Sequence, residues 1–252
     1  MEKVLNLYKE LGQTPLQTLE AFQKSRPEYA KEKMTYAGRL DPMAEGVLLA
    51  LVGEETKNRE AYTDLPKEYV FEFILGLETD TYDLLGLVKE ISAEKNYSPK
   101  EYIEKQKGKL SQKYPPFSSK VVDGKSLFSL AKAGRIFEKD LPAHEVEIFE
   151  SEYLGSREIK QEILLDKIEE RVKSVSGDFR QKQILLDWKN RLSKSERETY
   201  VIHKARIAVS SGFYVRQFVR DIGTHFKDCA VTFSILRTKV GHYSVAESLH
   251  LL

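Results

Sequence analysis

The residues best suited to covalent chemistry lie in one short stretch: Tyr36, Gly38, Arg39, Leu40, Asp41, Pro42 and Gly46, just before the apolar run of residues 47–52. Within it the carboxylate of Asp41 sits on a loop bounded by two glycines. A carboxylate is ionised at neutral pH, so it can act as a nucleophile without a base to activate it. It needs a fixed direction and a cation that keeps it charged once water is excluded. Pro42 locks its own φ and pushes Asp41 toward an extended backbone. Gly38 and Gly46 admit tight turns or the close approach of another backbone. Asp followed by Pro is also a helix start, with Asp41 as N-cap and Pro42 at the first helical position. The fragment alone leaves both readings open. Serine-hydrolase or metalloenzyme chemistry would need further groups, and none of suitable spacing stands nearby.

Several elements must position such a group. Residues 69–75 are dominated by β-branched and aromatic side chains and predict a buried strand. Residues 202–209 alternate in part and predict another. Ser210, Ser211 and Gly212 read as a turn and helix start, after which Val215, Phe218, Val219 and Ile222 recur at i, i+3, i+4 and i+7. That spacing predicts an amphipathic helix packed on a sheet. Arg216 and Arg220 stand four apart on one side of it, and Arg216, in the first turn, can reach a loop at the sheet surface. Residues 156–200 differ in character. Ile159, Ile163, Ile168, Val172 and Val175 suggest one helix, Gly177 and Asp178 a break, and Ile184, Leu185, Trp188 and Leu192 a second. The segment reads as a helical hairpin inserted between strands, densely charged with mixed sign, and too charged to be a second buried core.

Composition narrows the partners. With 252 residues, 41% of them hydrophobic, the chain can bury one sizeable core, or a core with an elaboration. A net charge of +1 argues against a globally basic nucleic-acid binder, although global charge hides local bias. Residues 201–252 carry Lys204, Arg206, Arg216, Arg220, Lys227, Arg237 and Lys239 against Asp221, Asp228 and Glu247, an excess of positive charge. Cys229 is the single cysteine, so no intrachain disulfide is possible and a reducing compartment fits. It reads as a small buried side chain. His144, His203, His225, His242 and His250 show no paired ligand spacing, and no metal site is expected. The N-terminus lacks a basic region and long apolar stretch, and no run approaches the roughly 18 apolar residues of a membrane span. A cytoplasmic protein without a membrane partner is expected.

Taken along the whole chain, the pattern Gly38, Arg39, Leu40, Asp41, Pro42, Ala44, Gly46 resembles the catalytic motif of the TruB-type tRNA pseudouridine synthases. Four further blocks stand in that family's order. Residues 4–14 resemble its opening strand and Lys-Pro-x-Gly turn, and residues 67–76 the strand carrying its active-site tyrosine, followed by a Thr/Asp-rich turn at residues 79–83. Pro115 to Lys120, with Gly124, Lys125, Phe128 and residues 131–134, resemble the segment that clamps the RNA loop. Gly212, Tyr214, Arg216, Asp221, Gly223, Leu236 and Arg237 resemble the block that supplies the arginine.

The resemblance implies an α+β, pseudouridine synthase fold. Its central sheet would be mixed but mostly antiparallel, flanked by helices and loops. Residues 1–252 would form one catalytic domain with the 156–200 insertion, and the family's C-terminal RNA-binding (PUA) domain has no counterpart after Leu252. The implied activity is isomerisation of the T-loop uridine of tRNA, uridine 55, to pseudouridine, by a monomer with no cofactor. Asp41 would be the nucleophile, attacking ribose or base, with Arg216 as its cationic brace. Tyr69 would stack on the flipped uracil and help remove the C5 proton. Asp83 would orient Arg216, although capping of its own turn explains an Asp there equally. Leu236 would supply an apolar wall. Lys120, Lys125, Lys132 and Arg135 would neutralise phosphates, and Tyr36, Gly38, Arg39, Leu40 and Lys9 would complete the substrate-binding set. The inserted helices would replace part of the missing domain's tRNA contacts, or serve as a stabilising elaboration only. Three positions depart from the family: the opening turn reads Tyr8, Lys9, Glu10; Tyr36 stands where a histidine is common; and Leu85 replaces a second acid after Asp83.

Overall fold

The computed structural model describes residues 2–93, 95–135 and 140–251. Strand β1 (Val4–Lys9) leads to helix α1 (Pro15–Ser25), and β2 (Met34–Ala37) passes through the Asp41 loop into β3 (Ala44–Val52). Helix α2 (Arg59–Thr63) precedes β4 (Lys67–Leu75), after which come β5 (Leu77–Thr79) and β6 (Val88–Ile91). Next are α3 (Lys100–Glu104), β7 (Gly108–Lys113), the small pair β8 (Val121–Val122) and β9 (Lys125–Ser126), and α4 (Leu127–Lys132). The long β10 (Ala143–Lys160) runs into helices α5 (Gln161–Ser174) and α6 (Gln181–Leu192). Strand β11 (Thr199–Val209), helix α7 (Val215–His225), β12 (Ala230–Val240) and β13 (Tyr243–Ser244) follow.

The main sheet has the order β1-β3-β12-β4-β11-β10-β7, with β2 also on β3 and β13 on β12. Only β3 and β12 pair in parallel, so the sheet is mixed and mostly antiparallel as expected. β3 is buried along nearly its whole length, which explains its continuous apolar run.

β4 shows how one strand serves two environments. Lys67, Tyr69, Phe71 and Phe73 are buried on one face, while Glu68, Val70 and Glu72 are half-buried on the other. The first face forms the main core with β10, β11 and α7. There Val215, Phe218, Val219 and Ile222 are all buried, as their spacing predicts. The second face begins polar: Arg206 pairs with Glu68 at 2.9 Å and Arg157 with Glu72. Further along it turns apolar, where Ile74 joins Tyr200, Ile202, Val231 and Phe233.

That apolar patch corrects the reading of residues 156–200. The hairpin helices pack on it through Leu164, Ile168 and Val172 of α5 and Ile184, Trp188 and Leu192 of α6, and this is a second buried core. Each helix spends only an i, i+4, i+8 stripe on burial, so the rest of its surface stays charged without cost. Ile163, expected inside, is exposed. The hairpin also begins later than 156, because β10 stays paired with β11 as far as Lys160 and Thr199, which holds Ile159 in the strand.

Candidate active site

The loop of residues 38–43 leaves the sheet where one edge of β3 changes partner, from β2 at residues 49–52 to β12 at residues 44–46. No helix follows Asp41. Ala44 N donates to Asp41 O at 3.0 Å, closing a turn directly into β3, because ladder partners on both edges claim the following backbone. Gly46 has φ +107, and a Cβ there would stand 2.3 Å from Arg237 O, so the close approach of β12 requires glycine.

Two buried cations prop this loop from below. Arg237 on β12 donates Nε to Val47 O (2.7 Å), and its terminal nitrogens to Arg39 O (3.0 Å) and Gly38 O (3.4 Å). Lys9, fully buried at the end of β1, donates Nζ to Ala44 O at 2.5 Å and Glu10 O at 3.0 Å. Burial pushes Lys9 down to about 7, with Arg237 adding to the fall and Asp41 opposing it.

Arg216 rises from the first turn of α7 and is 3% exposed. Its Nε donates to Asp41 Oδ2 at 2.7 Å and lies 3.7 Å from Asp83 Oδ2. Its terminal nitrogens donate to Thr81 O (2.8 Å) and Phe117 O (3.2 Å). Burial opposes the guanidinium charge, but Asp41 and Asp83 outweigh it and raise the Arg216 pKa. Asp83 accepts from Thr81 Oγ1 (2.8 Å) and Leu85 N (2.9 Å) within its turn, and its Oδ2 also faces Arg216. Burial, aided by the Asp41 charge, pushes Asp83 up to about 6 against the pull of Arg216 and these hydrogen bonds. The dry carboxylate is therefore Asp83. Asp41, expected in a dry pocket, has 37% of its side chain exposed, because it stands on the cleft rim above the arginine.

Asp41, Tyr69, Asp83 and Arg216 line one cleft of about 810 Å³, together with Tyr36, Gly38, Arg39, Leu40 and Lys132. Its walls carry Arg39, Arg59, Lys67, Lys132, Arg180, Arg216 and Arg237 against Asp41, Asp83 and Asp178, a local excess that the near-neutral total conceals. Burial pushes Tyr214, also on the wall, up to about 12, with the Asp41 charge adding to the rise. Among the described residues no group of three or more His, Cys, Asp and Glu could hold a metal ion. Cys229 is buried, and burial first, then Asp228, pushes its thiol up to about 12, an inert setting.

Five expected binding residues stand off the cleft wall. Leu236 does not border the cleft; its neighbours Ile235 and Arg237 do, because alternate residues of β12 face opposite sides of the sheet. Lys9 lies beneath the loop with its ammonium spent on backbone carbonyls, so it supports the site from inside. Lys120 places its ammonium 5.2 Å over the Tyr114 ring, and Lys125, in β9, is exposed. In this β8–β9 hairpin, turned by Asp123 and Gly124 at positive φ, Val121 and Ser126 line the cleft instead. Arg135 is exposed and also off the cleft wall. Sequence reasoning gave no role to Lys67 or Arg237, although a charged residue at a core-facing strand position is a legible sign of a bonded cation. Asp178, Phe179 and Arg180, at the hairpin tip, also line the cleft, and nothing local in their sequence announces it.

The architecture is that of the pseudouridine synthase fold. It matches the solved chain of the archaeal box H/ACA sRNP Nop10-Cbf5 complex with a TM-score of 0.55 and 15% identity, over 99% of this chain and 51% of that one. A Cbf5-Nop10-Gar1 complex gives 0.57 and 17%, over 99% and 52%. The chain thus spans about half the length of those structures' matched chains. Residues 26–179 match the family described as TruB family pseudouridylate synthase (N terminal domain), and the chain belongs to that family of isomerases. Similar proteins include tRNA pseudouridine synthase B of Borreliella burgdorferi (strain ZS7), 29% identical over 97% of this chain and 71% of its own length. The protein of that name from Syntrophomonas wolfei is 29% identical over 100% and 71%, and that of Listeria innocua 36% over 59% and 48%. No helix among the described residues is long and apolar enough to cross a membrane.

Proposed function

We propose that the protein isomerises uridine 55 in the T-loop of tRNA to pseudouridine, with Asp41 as the nucleophile. The observation that carries this reading is the Asp41–Arg216 pair, a rim carboxylate held at 2.7 Å by a buried guanidinium. It stands in a cationic cleft, in a chain whose relatives are named tRNA pseudouridine synthases. In the reaction the C1′–N1 bond breaks, the uracil turns and a C1′–C5 bond forms. N1 gains a proton and C5 loses one, so atoms balance without cosubstrate or redox cofactor.

Each part of the cleft has work in that sequence. Extruding the base costs a few kcal/mol. Stacking on Tyr69 offsets about 1–3 kcal/mol of it, and Leu40, Phe213 and Ile235 on the same walls add apolar contact. The incoming base covers Asp41 and removes its remaining water, and Arg216 then keeps the carboxylate charged, since a guanidinium does not release its proton. The Tyr69 oxygen helps take the C5 proton at the end. Rim cations meet phosphates, which fixes position without reading sequence, while the shape of the T-loop supplies selection. The enzyme works as a monomer, and the buried free thiol fits the cytoplasm.

Release of tritium from C5-labelled uridine in a T-arm transcript tests the assignment. Asp41→Asn is expected to abolish release while leaving tRNA affinity within several-fold. Undiminished release by the variant refutes it. Mapping pseudouridine in total RNA with and without the gene distinguishes tRNA from another structured RNA.

A further inference from the structure

Arg180 stands at the tip of the α5–α6 hairpin with φ +66, a left-handed conformation that a non-glycine residue keeps only where its surroundings hold it. Its guanidinium donates to Asp80 Oδ2 at 3.0 Å and lies 5.0 Å over the Phe117 ring. These two partners lie at the two ends of the Arg216 cradle. Thr81, next to Asp80, and Phe117 itself provide the carbonyls that receive the terminal nitrogens of Arg216. The other oxygen of Asp80 accepts from Leu87 N at 2.8 Å, so the turn is held from both sides. The hairpin grips the same turn again through Trp188 Nε1, which donates to Leu84 O at 3.1 Å.

We propose that Arg180 is a positioning residue that couples the helical hairpin to the cradle of Arg216, so that the hairpin sets the direction in which that guanidinium meets Asp41. The inference rests on the Asp41–Arg216 reading above. Two carbonyls on separate segments fix the plane of Arg216, and Arg180 bridges those segments with one cation, by an ion pair on one side and a cation–π contact on the other. Loss of the bridge lets the carbonyls drift independently and turns Arg216 away from Asp41. Reactive geometry tolerates little of this, since a displacement near 1 Å costs on the order of 100-fold in rate.

The test measures single-turnover conversion of a T-arm transcript and, separately, Kd for the same RNA. Arg180→Ala is expected to slow conversion about 10- to 100-fold, with Kd within threefold and a nearly unchanged unfolding midpoint. Arg180→Lys keeps a cation for Asp80 without the guanidinium's reach over Phe117 and should recover part of the rate. An unchanged rate overturns the proposal, as does a loss confined to Kd, which would make Arg180 an RNA contact. If Arg180→Ala unfolds, Asp80→Asn weakens the same bridge while sparing the hairpin core. A matching slowdown then supports the proposal and an unchanged rate overturns it. Asp41→Asn run in parallel keeps the two readings separate: conversion by the wild type and none by that variant leaves the nucleophile assigned whatever Arg180 does.

Discussion

The Asp41 loop and the α5–α6 hairpin border the same cleft but are held by opposite means. The loop buries Leu40 and Met43 on either side of its carboxylate, but the course of its backbone is fixed by cations sent from distant strands, Lys9 from β1 to Ala44 O and Arg237 from β12 to the carbonyls of Gly38, Arg39 and Val47. The hairpin is held by its own apolar stripe, with Trp188 at its centre, and reaches the chemistry through polar contacts at one turn. Hydrogen bonds to a buried charge are directional and fix an angle. Apolar packing is not directional and fixes only that the element stays docked. A reactive group is therefore better placed by the first device, and a supporting element by the second.

The comparison is open to attack at three points, from the largest effect down. Trp188→Ala removes a fully buried side chain and orphans Leu84 O, and should cost about 3–5 kcal/mol of stability. Urea unfolding should show the loss as a lower midpoint at constant slope; a loss below about 1 kcal/mol would mean that the hairpin is not held by its core. Arg237→Met keeps volume but leaves the carbonyls of Gly38, Arg39 and Val47 short of a donor, which should cost roughly 2–4 kcal/mol. Its mark is a conversion rate that falls even where the protein is fully folded. If rate at full folding stays at the wild-type level, the loop does not depend on its cationic prop.

The smallest effect is the pH response of Asp83. Its folded pKa is raised from 3.8 to about 6, chiefly by burial. Between those values the folded state binds more protons than the unfolded one, so this group's contribution to stability falls as pH rises through the window. Below about 4 both states are protonated and the penalty vanishes; above about 6 it is complete. The stability difference between wild type and Asp83→Asn should therefore decline from pH 4 to 6, at no more than about 1.4 kcal/mol per pH unit. A flat difference would show that burial does not govern Asp83.

Much of the site was legible from residue order. The motif around Asp41, the strand bearing Tyr69 and the i, i+3, i+4, i+7 pattern of α7 all stand where periodicity and motif spacing put them, and Arg216 does reach a loop at the sheet surface. The misses share a cause. The motif points to Leu236 and not to Ile235 because a motif names a position but not the face it points to, and β12 carries register shifts at residues 232–234 and 237–239 that local pattern does not reveal. The hairpin looks too charged for a core only when charge is averaged over the segment, whereas burial requires one stripe per helix.

By itself, then, the order of residues determined which groups are chemically able: an Asp on a glycine-bounded turn, a Tyr on an inward strand position and an Arg in a helix's first turn. These follow from backbone preference and period, which act over a few residues. Tertiary structure alone decided which carboxylate is dry and which stands at the rim, and that Lys9 and Arg237 serve the loop from within. It also brought Arg180, 100 positions from Asp80, to close the cradle. Burial and the pairing of charges are properties of neighbours in space, and for these groups the neighbours come from remote parts of the chain.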